Sequence, residues 1–128
     1  MRPQPLIGVT DVEASSRWYQ SLLGCTSAHG GKEYERLMWN GNLILQLHSL
    51  DHDHHHAPIA EPNNKPFGNG VLLWFEVDDF ELAMGRISAM AATIVMPRHR
   101  NPNANHWECW IKDPDGYTVV LSSQDGTA

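Results

Sequence analysis

The strongest constraint on this chain is that its second half repeats the order of its first. "PLIGV" has the length and apolar character of a strand and runs into "TDVEASSRWYQSLLG", where Asp11 caps a helix that Gly24 stops. "GVLLWFEV" and "DDFELAMGRISAM" repeat that order; this helix carries Phe80, Ala83, Met84, Ile87 and Met90 on one face and Asp78 with Glu81 as a capping box. The likeness reaches single residues: "VTDVEA" from Val9 matches "VDDFELA" from Val77, an offset of 68 positions. An order that recurs with matching residues at its joints is the mark of a duplicated module, and a duplicated module limits the fold to two copies of one packing solution.

The rest of each module is strand. "EYERLMW" and "LILQLHS" flank "NGN", whose Asn-Gly step favours a tight hairpin turn. In the second half "TIVMPR" is a short strand, "RNPNAN" a loop, and "HWECWIK" and "YTVVLSS" are strands joined by the turn "DPDG". Alternation splits each strand into two faces. Leu43, Leu45 and Leu47 share one face and Ile44, Gln46 and His48 the other; Val71, Leu73, Phe75 and Val77 oppose Leu72, Trp74 and Glu76. Val119 and Leu121 point toward a helix, with Thr118, Val120 and Ser122 opposite. In the first strand Gln4 and Leu6 take the side away from the helices. One face is greasy enough to pack on helices, and the mixed face is free to line a cavity. The chain reads as a single domain over 1–128, with module one at about 1–50, a linker at about 51–69 and module two at about 70–124.

A net charge of −6 argues against nucleic acid or an anionic membrane as the main partner, since neither would be attracted. A small molecule or another protein is the expected partner. No apolar run suits a signal peptide or approaches the roughly 20 residues of a membrane helix, so a cytoplasmic protein is expected. Cys25 and Cys109 belong to no CxxC pair and read as ordinary buried thiols of a reducing compartment.

The strand-helix-three-strand repeat, with "D.E.S..WY..LLG" near the start and "DPDGY" near the end, resembles the vicinal oxygen chelate superfamily of glyoxalases, bleomycin-resistance proteins and extradiol dioxygenases. The resemblance implies an α+β fold in which two βαβββ modules form a cupped, mostly antiparallel eight-stranded sheet with helices on its outer face. It also implies a homodimer, and a cup that commonly holds a divalent metal on His, Gln or Glu side chains. On this sequence those ligand positions fall on Gln4, Gln46, Leu72 and Val120. Leucine and valine cannot coordinate, and two neutral amides do not offset the dehydration of a divalent ion. The expectation is therefore a small-molecule-binding, bleomycin-resistance-like protein with no cofactor. The alternative is a lyase or dioxygenase with rearranged ligands, Gln4, Gln46 and His48, around one Zn, Ni, Fe or Mn ion.

The run "LQLHSLDHDHHH" bears on that alternative. His48 ends a strand on its mixed face, whereas His52, His54, His55 and His56 lie beyond it, as a solvated polar loop or as a flap bringing a histidine to the ligand. The tryptophans point to binding. Trp74 faces inward, Trp110 shares a face with His106, Glu108 and Lys112, and Trp39 stands at a rim, so an apolar or aromatic ligand would lie among Leu6, Trp39, Leu72, Trp74, Trp110 and Val120, with Gln4, Gln46, His48 and Glu108 as polar contacts. An acid-base role for Glu108 with His106 is chemically open, and no nucleophile motif is present.

Overall fold

The computed structural model describes residues 1–50, 63 and 65–128. These form two compact units, Met1–Lys65 and Pro66–Ala128. Each is a βαβββ module whose four strands make one mixed sheet.

In the first unit β1 (Leu6–Val9) leads into α1 (Val12–Leu23), followed by β2 (Thr26–Ser27), β3 (Tyr34–Trp39) and β4 (Asn42–Ser49). The sheet order is β1-β4-β3-β2, with β1 parallel to β4 and the other pairs antiparallel. Asp11 stays extended and its carboxylate accepts the Ala14 N–H at 2.9 Å, satisfying one of the donors that a helix start leaves open. Gly24 takes the left-handed conformation at φ 69° and returns its N–H to the Gln20 carbonyl, a shape that glycine adopts without penalty. The helix packs on β2, β3 and β4. Val12, Tyr19 and Leu22 from α1 and Leu37, Leu45 and Leu47 from the sheet are buried in that layer.

Two details depart from the sequence reading. The two-residue β2, exposed at the sheet edge, was invisible as a separate strand because so short a piece has no period to read. A register shift between Leu37 and Met38 pairs Leu37 with Leu45 but Met38 with Leu43. Directly opposed residues share a face, and Leu37 and Met38 are consecutive, so Leu43 leaves the Leu45 side and is only half-buried.

The second unit repeats the topology with β5 (Leu72–Glu76), α2 (Phe80–Met90), β6 (Thr93–Asn101), β7 (His106–Lys112) and β8 (Thr118–Ser122), in the order β5-β8-β7-β6 with β5 parallel to β8. The cap of α2 is Asp79, which accepts the Leu82 N–H at 3.0 Å. A capping box from Asp78 to Glu81 is therefore one residue out of register, and Asp79 stands 68 positions after Asp11, as the duplication requires. β6 is nine residues long and runs on past "TIVMPR" through Arg100 and Asn101, which the sequence reading places in a loop. It is an edge strand, and its two register shifts and Pro97 are tolerable only at an edge, where a missing ladder N–H faces no neighbour. The Arg98 guanidinium lies 5.3 Å from the Phe80 ring and 4.8 Å from the Trp107 ring and pairs with Glu81 at 2.6 Å, tying β6 to α2 and β7. The helix-side core is built from Leu73, Phe80, Ala83, Ile87, Ile111, Val119 and Leu121. Among the described residues no helix is long and apolar enough to cross a membrane.

Glu35 holds the first unit together. It is 2% exposed and sits on the helix side of β3. Its carboxylate accepts from the Ser16 and Ser27 hydroxyls, both at 2.7 Å, and from the backbone N–H groups of Gly30 and Arg36 at 2.9 Å and His29 at 3.2 Å. Burial pushes its pKa up, and these hydrogen bonds more than reverse that, so it lies below the usual glutamate value of 4.5. A carboxyl with a depressed native pKa stabilises fully above its unfolded value and loses that contribution as pH falls. Glu35→Gln, which turns an amide N–H toward these donors, is expected to cost about 3 kcal/mol in urea unfolding at neutral pH, with the deficit shrinking in acid.

Candidate functional site

The mixed face of the second sheet has a regular layout, because cross-strand partners stand side by side. One row runs Leu72, Thr118, Lys112; the next runs Trp74, Val120, Trp110, Met96; a third runs Glu76, Ser122, Glu108, His99; and His106 pairs with Asn101 beyond it. Val120 is fully buried between two indoles, whereas Trp74 is 42% exposed and Trp110 half-buried. Both indole N–H groups are used within the sheet. Trp74 Nε1 donates to Ser122 Oγ and Trp110 Nε1 to Glu108 Oε1, each at 2.9 Å. The rings are thereby held in place and their faces carry no unmet polar demand.

Glu108 is the hub of this face. It is 2% exposed. Oε2 accepts from Asn101 Nδ2 and faces His106 Nε2, both at 2.7 Å, while Oε1 accepts from Trp110 and faces His99 Nε2 at 3.2 Å. Both carboxylate oxygens are thus engaged by hydrogen bonds from Asn101, His106 and Trp110. Burial alone would raise the Glu108 pKa, but the bonds from Asn101, His106 and Trp110 bring it down to about 2. His106 is itself buried, which disfavours its charge, yet Glu108 on one ring nitrogen and Asp125 at 2.9 Å from the other raise its pKa above the ordinary 6.5. With a carboxylate at each nitrogen, the doubly protonated imidazolium satisfies both. The His106 ring also stands 5.9 Å from that of Trp74, tilted by 51°.

This arrangement bears on catalysis. A general base works best with a pKa near the operating pH, and the hydrogen bonds to Glu108 hold its carboxyl far below that. The acid-base role that the sequence left open for Glu108 with His106 does not fit this geometry. Burial raises the Cys25 thiol to about 11 and also raises Cys109, so neither supplies a thiolate at neutral pH.

In the first sheet the mixed face carries Leu6 beside Gln46 and Arg36, and Gly8 beside His48 and Tyr34. The Tyr34 hydroxyl donates to Gln46 Oε1, and Gln46 Nε2 donates to the Gln4 backbone carbonyl at 3.0 Å. His48 has Nδ1 at 2.8 Å from the Ser49 carbonyl and its ring 6.5 Å from Tyr34. Leu6 and Trp39 are each 41% exposed, Trp39 pairing with Asn42 at the hairpin turn. Gln4 is exposed and enters the network through its backbone.

The residues at the expected metal positions do not fit a divalent ion. The amide oxygen of Gln46 is engaged by Tyr34, and Leu72 and Val120 offer no donor. Among the described residues no group of three or more His, Cys, Asp or Glu side chains is arranged to hold a metal. His52, His54, His55 and His56 lie outside the described residues.

Sequence reading reached Trp74, Trp110 and Glu108 but missed partners that fix them. His99 and Asn101 lay in a stretch read partly as loop, and Asp125 lies past the end assigned to module two. The register shift between Met96 and His99 breaks the alternation of β6, so counting on from Met96 would have put Arg98 and Arg100 on this face instead. Tyr34 could have been found from the hairpin register, which sets it diagonal to Gln46.

His106 and Glu108 predict a pH window. The depressed Glu108 contributes fully above its unfolded value near 4.5 and loses this as pH falls through about 2; the elevated His106 contributes fully below 6.5 and loses this as pH rises through its higher native value. Their joint contribution peaks between about pH 4.5 and 6.5. Glu108→Gln is expected to lose ~3–5 kcal/mol there, measured by urea unfolding, and an NMR titration should find the His106 ring still charged above pH 6.5.

Comparison with known proteins adds to this geometry. The profile of the Glyoxalase/Bleomycin resistance protein/Dioxygenase superfamily matches residues 3–121. Among curated proteins none matches. A glyoxalase/bleomycin resistance protein/dioxygenase from Nocardioides is similar in structure, with a TM-score of 0.73 at 20% identity, covering 100% of this chain and 87% of that one. Lactoylglutathione lyase from Agrobacterium tumefaciens gives 0.72 at 17% identity, covering 96% and 92%. A genomically encoded fosfomycin resistance protein from Listeria monocytogenes gives 0.72 at 9% identity, covering 98% and 94%. At such identities these structures speak to the fold alone.

Proposed function

Since the chain belongs to the glyoxalase/bleomycin resistance protein/dioxygenase superfamily, we propose that it binds a small apolar or aromatic molecule on the mixed face of its sheet without a catalytic metal, in the manner of the bleomycin-resistance members. The observation that carries this reading is the row Trp74, Val120, Trp110, two indoles on either side of a buried valine with both N–H groups already bonded. Such a row offers a flat apolar surface whose rings do not have to be ordered when a ligand arrives, which lowers the entropic cost of binding. Leu72 extends it at the next position of β5 on the same face and is 43% exposed. Glu108 positions Trp110 rather than reacting. On the first sheet Leu6, Gln46 and His48 present a second surface of mixed polarity. A homodimer and a cytoplasmic location belong to the same reading.

The alternative, a metal-dependent lyase or dioxygenase, requires a donor set that includes an anion or a free imidazole. Gln46 would have to give up Tyr34 to coordinate, and the second module contributes nothing at Leu72 or Val120. The chemistry of those side chains favours the binding protein.

Titration with bleomycin and with anilinonaphthalene sulfonate, followed by tryptophan fluorescence, is expected to reach saturation. Trp74→Ala and Trp110→Ala should each weaken binding by roughly tenfold or more, ~1.4 kcal/mol. Equal affinity in both variants would remove the indole row from the site. Elemental analysis of untagged, chelator-dialysed protein should find no zinc, nickel, iron or manganese approaching one ion per chain. A retained stoichiometric ion that survives mutation of His52, His54, His55 and His56 would transfer the case to the metalloenzyme.

A further inference from the structure

Lys112 occupies an unusual position. It lies on the same face of β7 as Trp110, one row along, and is only half-buried. Its cross-strand partners are Thr118 and Thr93, both neutral. Among the described residues its ammonium has a single polar partner, Thr118 Oγ1 at 2.7 Å, and no carboxylate within ion-pair distance. An ammonium has three donors, and taking it partly out of water without an anion is unfavourable. The other charged groups of this face differ in this respect. Glu108 and His106 pair with one another, Glu76 is an exposed carboxylate two rows from Lys112, and Arg98 faces the helix side, where Glu81 and two aromatic rings surround it. Lys112 is the one lysine or arginine of the mixed face of this sheet, and it carries a positive charge that the described chain does not answer.

We propose that Lys112, with the Thr118 hydroxyl, receives an anionic group of the ligand, so that the site selects aromatic compounds bearing a carboxylate, sulfonate or phosphonate. The inference rests on the indole-row reading above and names its substrate class. The geometry sets the shape of that class. Positions two apart on a strand are roughly 7 Å apart, so a ring over the Trp110 indole places a short substituent over Lys112. The anion completes the coordination that Thr118 begins, and the row of Leu72, Thr118 and Lys112 becomes the polar end of the site, with the indoles as its apolar floor. No bond is made or broken. Lys112 acts as a specificity-determining residue through charge alone.

The test uses the full chain and two probes that differ only in charge, naphthaleneacetate and naphthaleneacetamide, compared by titration calorimetry. Wild-type protein is expected to bind the acetate about tenfold more tightly than the amide, with the gap narrowing as salt is added. Lys112→Met, which keeps an apolar side chain of similar length, should erase the preference while leaving amide affinity within about twofold. Lys112→Arg should preserve the preference, and Trp74→Ala should weaken both probes alike. Equal binding of both probes by wild-type protein overturns the proposal and leaves the aromatic platform standing, as does a preference that survives in Lys112→Met. Failure of both probes to bind overturns the platform and this inference together. The wild-type comparison decides without any variant, so a Lys112→Met protein that does not fold leaves the outcome intact.

Discussion

A carboxylate can be removed from water inside a sheet only if its oxygens are met by donors, and Glu108 meets that condition three times over, with Asn101, His106 and Trp110, while His99 stands close by. Much of the second unit's mixed face depends on this one group. It fixes the Trp110 indole, draws the edge strand β6 onto β7 through Asn101 and His99, and keeps His106 charged so that Asp125 is held in turn. The segment after β8 then lies along the start of β7, with Gly126 and Ala128 donating to the Ala104 and Asn105 carbonyls. Removing the charge of Glu108 would leave several donors without an acceptor at once, which is why its loss should be felt across the unit rather than at one contact.

Glu35 solves the same problem on the opposite side of its own sheet. Its donors come from α1, β2, the turn that follows β2, and β3, so the carboxylate pins a helix to a sheet edge that has only two residues of its own to hold it. The duplicated modules thus share a topology but place their buried acids differently. One acid ties a helix to its sheet, and the other orders the mixed face of its sheet. A duplication leaves each copy free to diverge in this way, since the parallel pairing of first and last strand, β1 with β4 and β5 with β8, fixes the fold in both.

The topology was legible in the sequence because it rests on patterns with a period. Asp11 and Asp79 mark the two helix starts, Gly24 marks a stop, and alternation in "LILQLHS" and "YTVVLSS" sorts residues onto faces. Legibility failed where the period breaks. The register shift that moves Leu43, the two-residue β2 and the bulged edge strand through Pro97 are all irregularities of backbone pairing, and side-chain type does not announce them. The site was half legible for the same reason. Trp74, Glu108 and Trp110 fall on one face by counting, but their mutual orientation depends on His99 and Asn101 from a strand that seemed to end earlier, and on Asp125 beyond the last strand. Val120 shows the limit of counting in another way: its face was assigned correctly, yet flanking indoles leave it no surface to offer.

The internal balance of charges on this face is the ground for proposing binding rather than chemistry. A catalytic acid or base is kept partly unsatisfied in the resting protein, because the reaction supplies its missing partner. Glu108 and His106 show the reverse condition, each with every polar atom engaged and each driven away from neutrality toward its charged form. Trp74 and Trp110 likewise have no polar atom left to offer. Among the described residues the face also presents apolar area, the ammonium of Lys112 and the exposed carboxylate of Glu76. Apolar ring faces and an ammonium beside a hydroxyl are the chemistry on which the binding proposal rests, since dispersion and charge together can hold an aromatic anion.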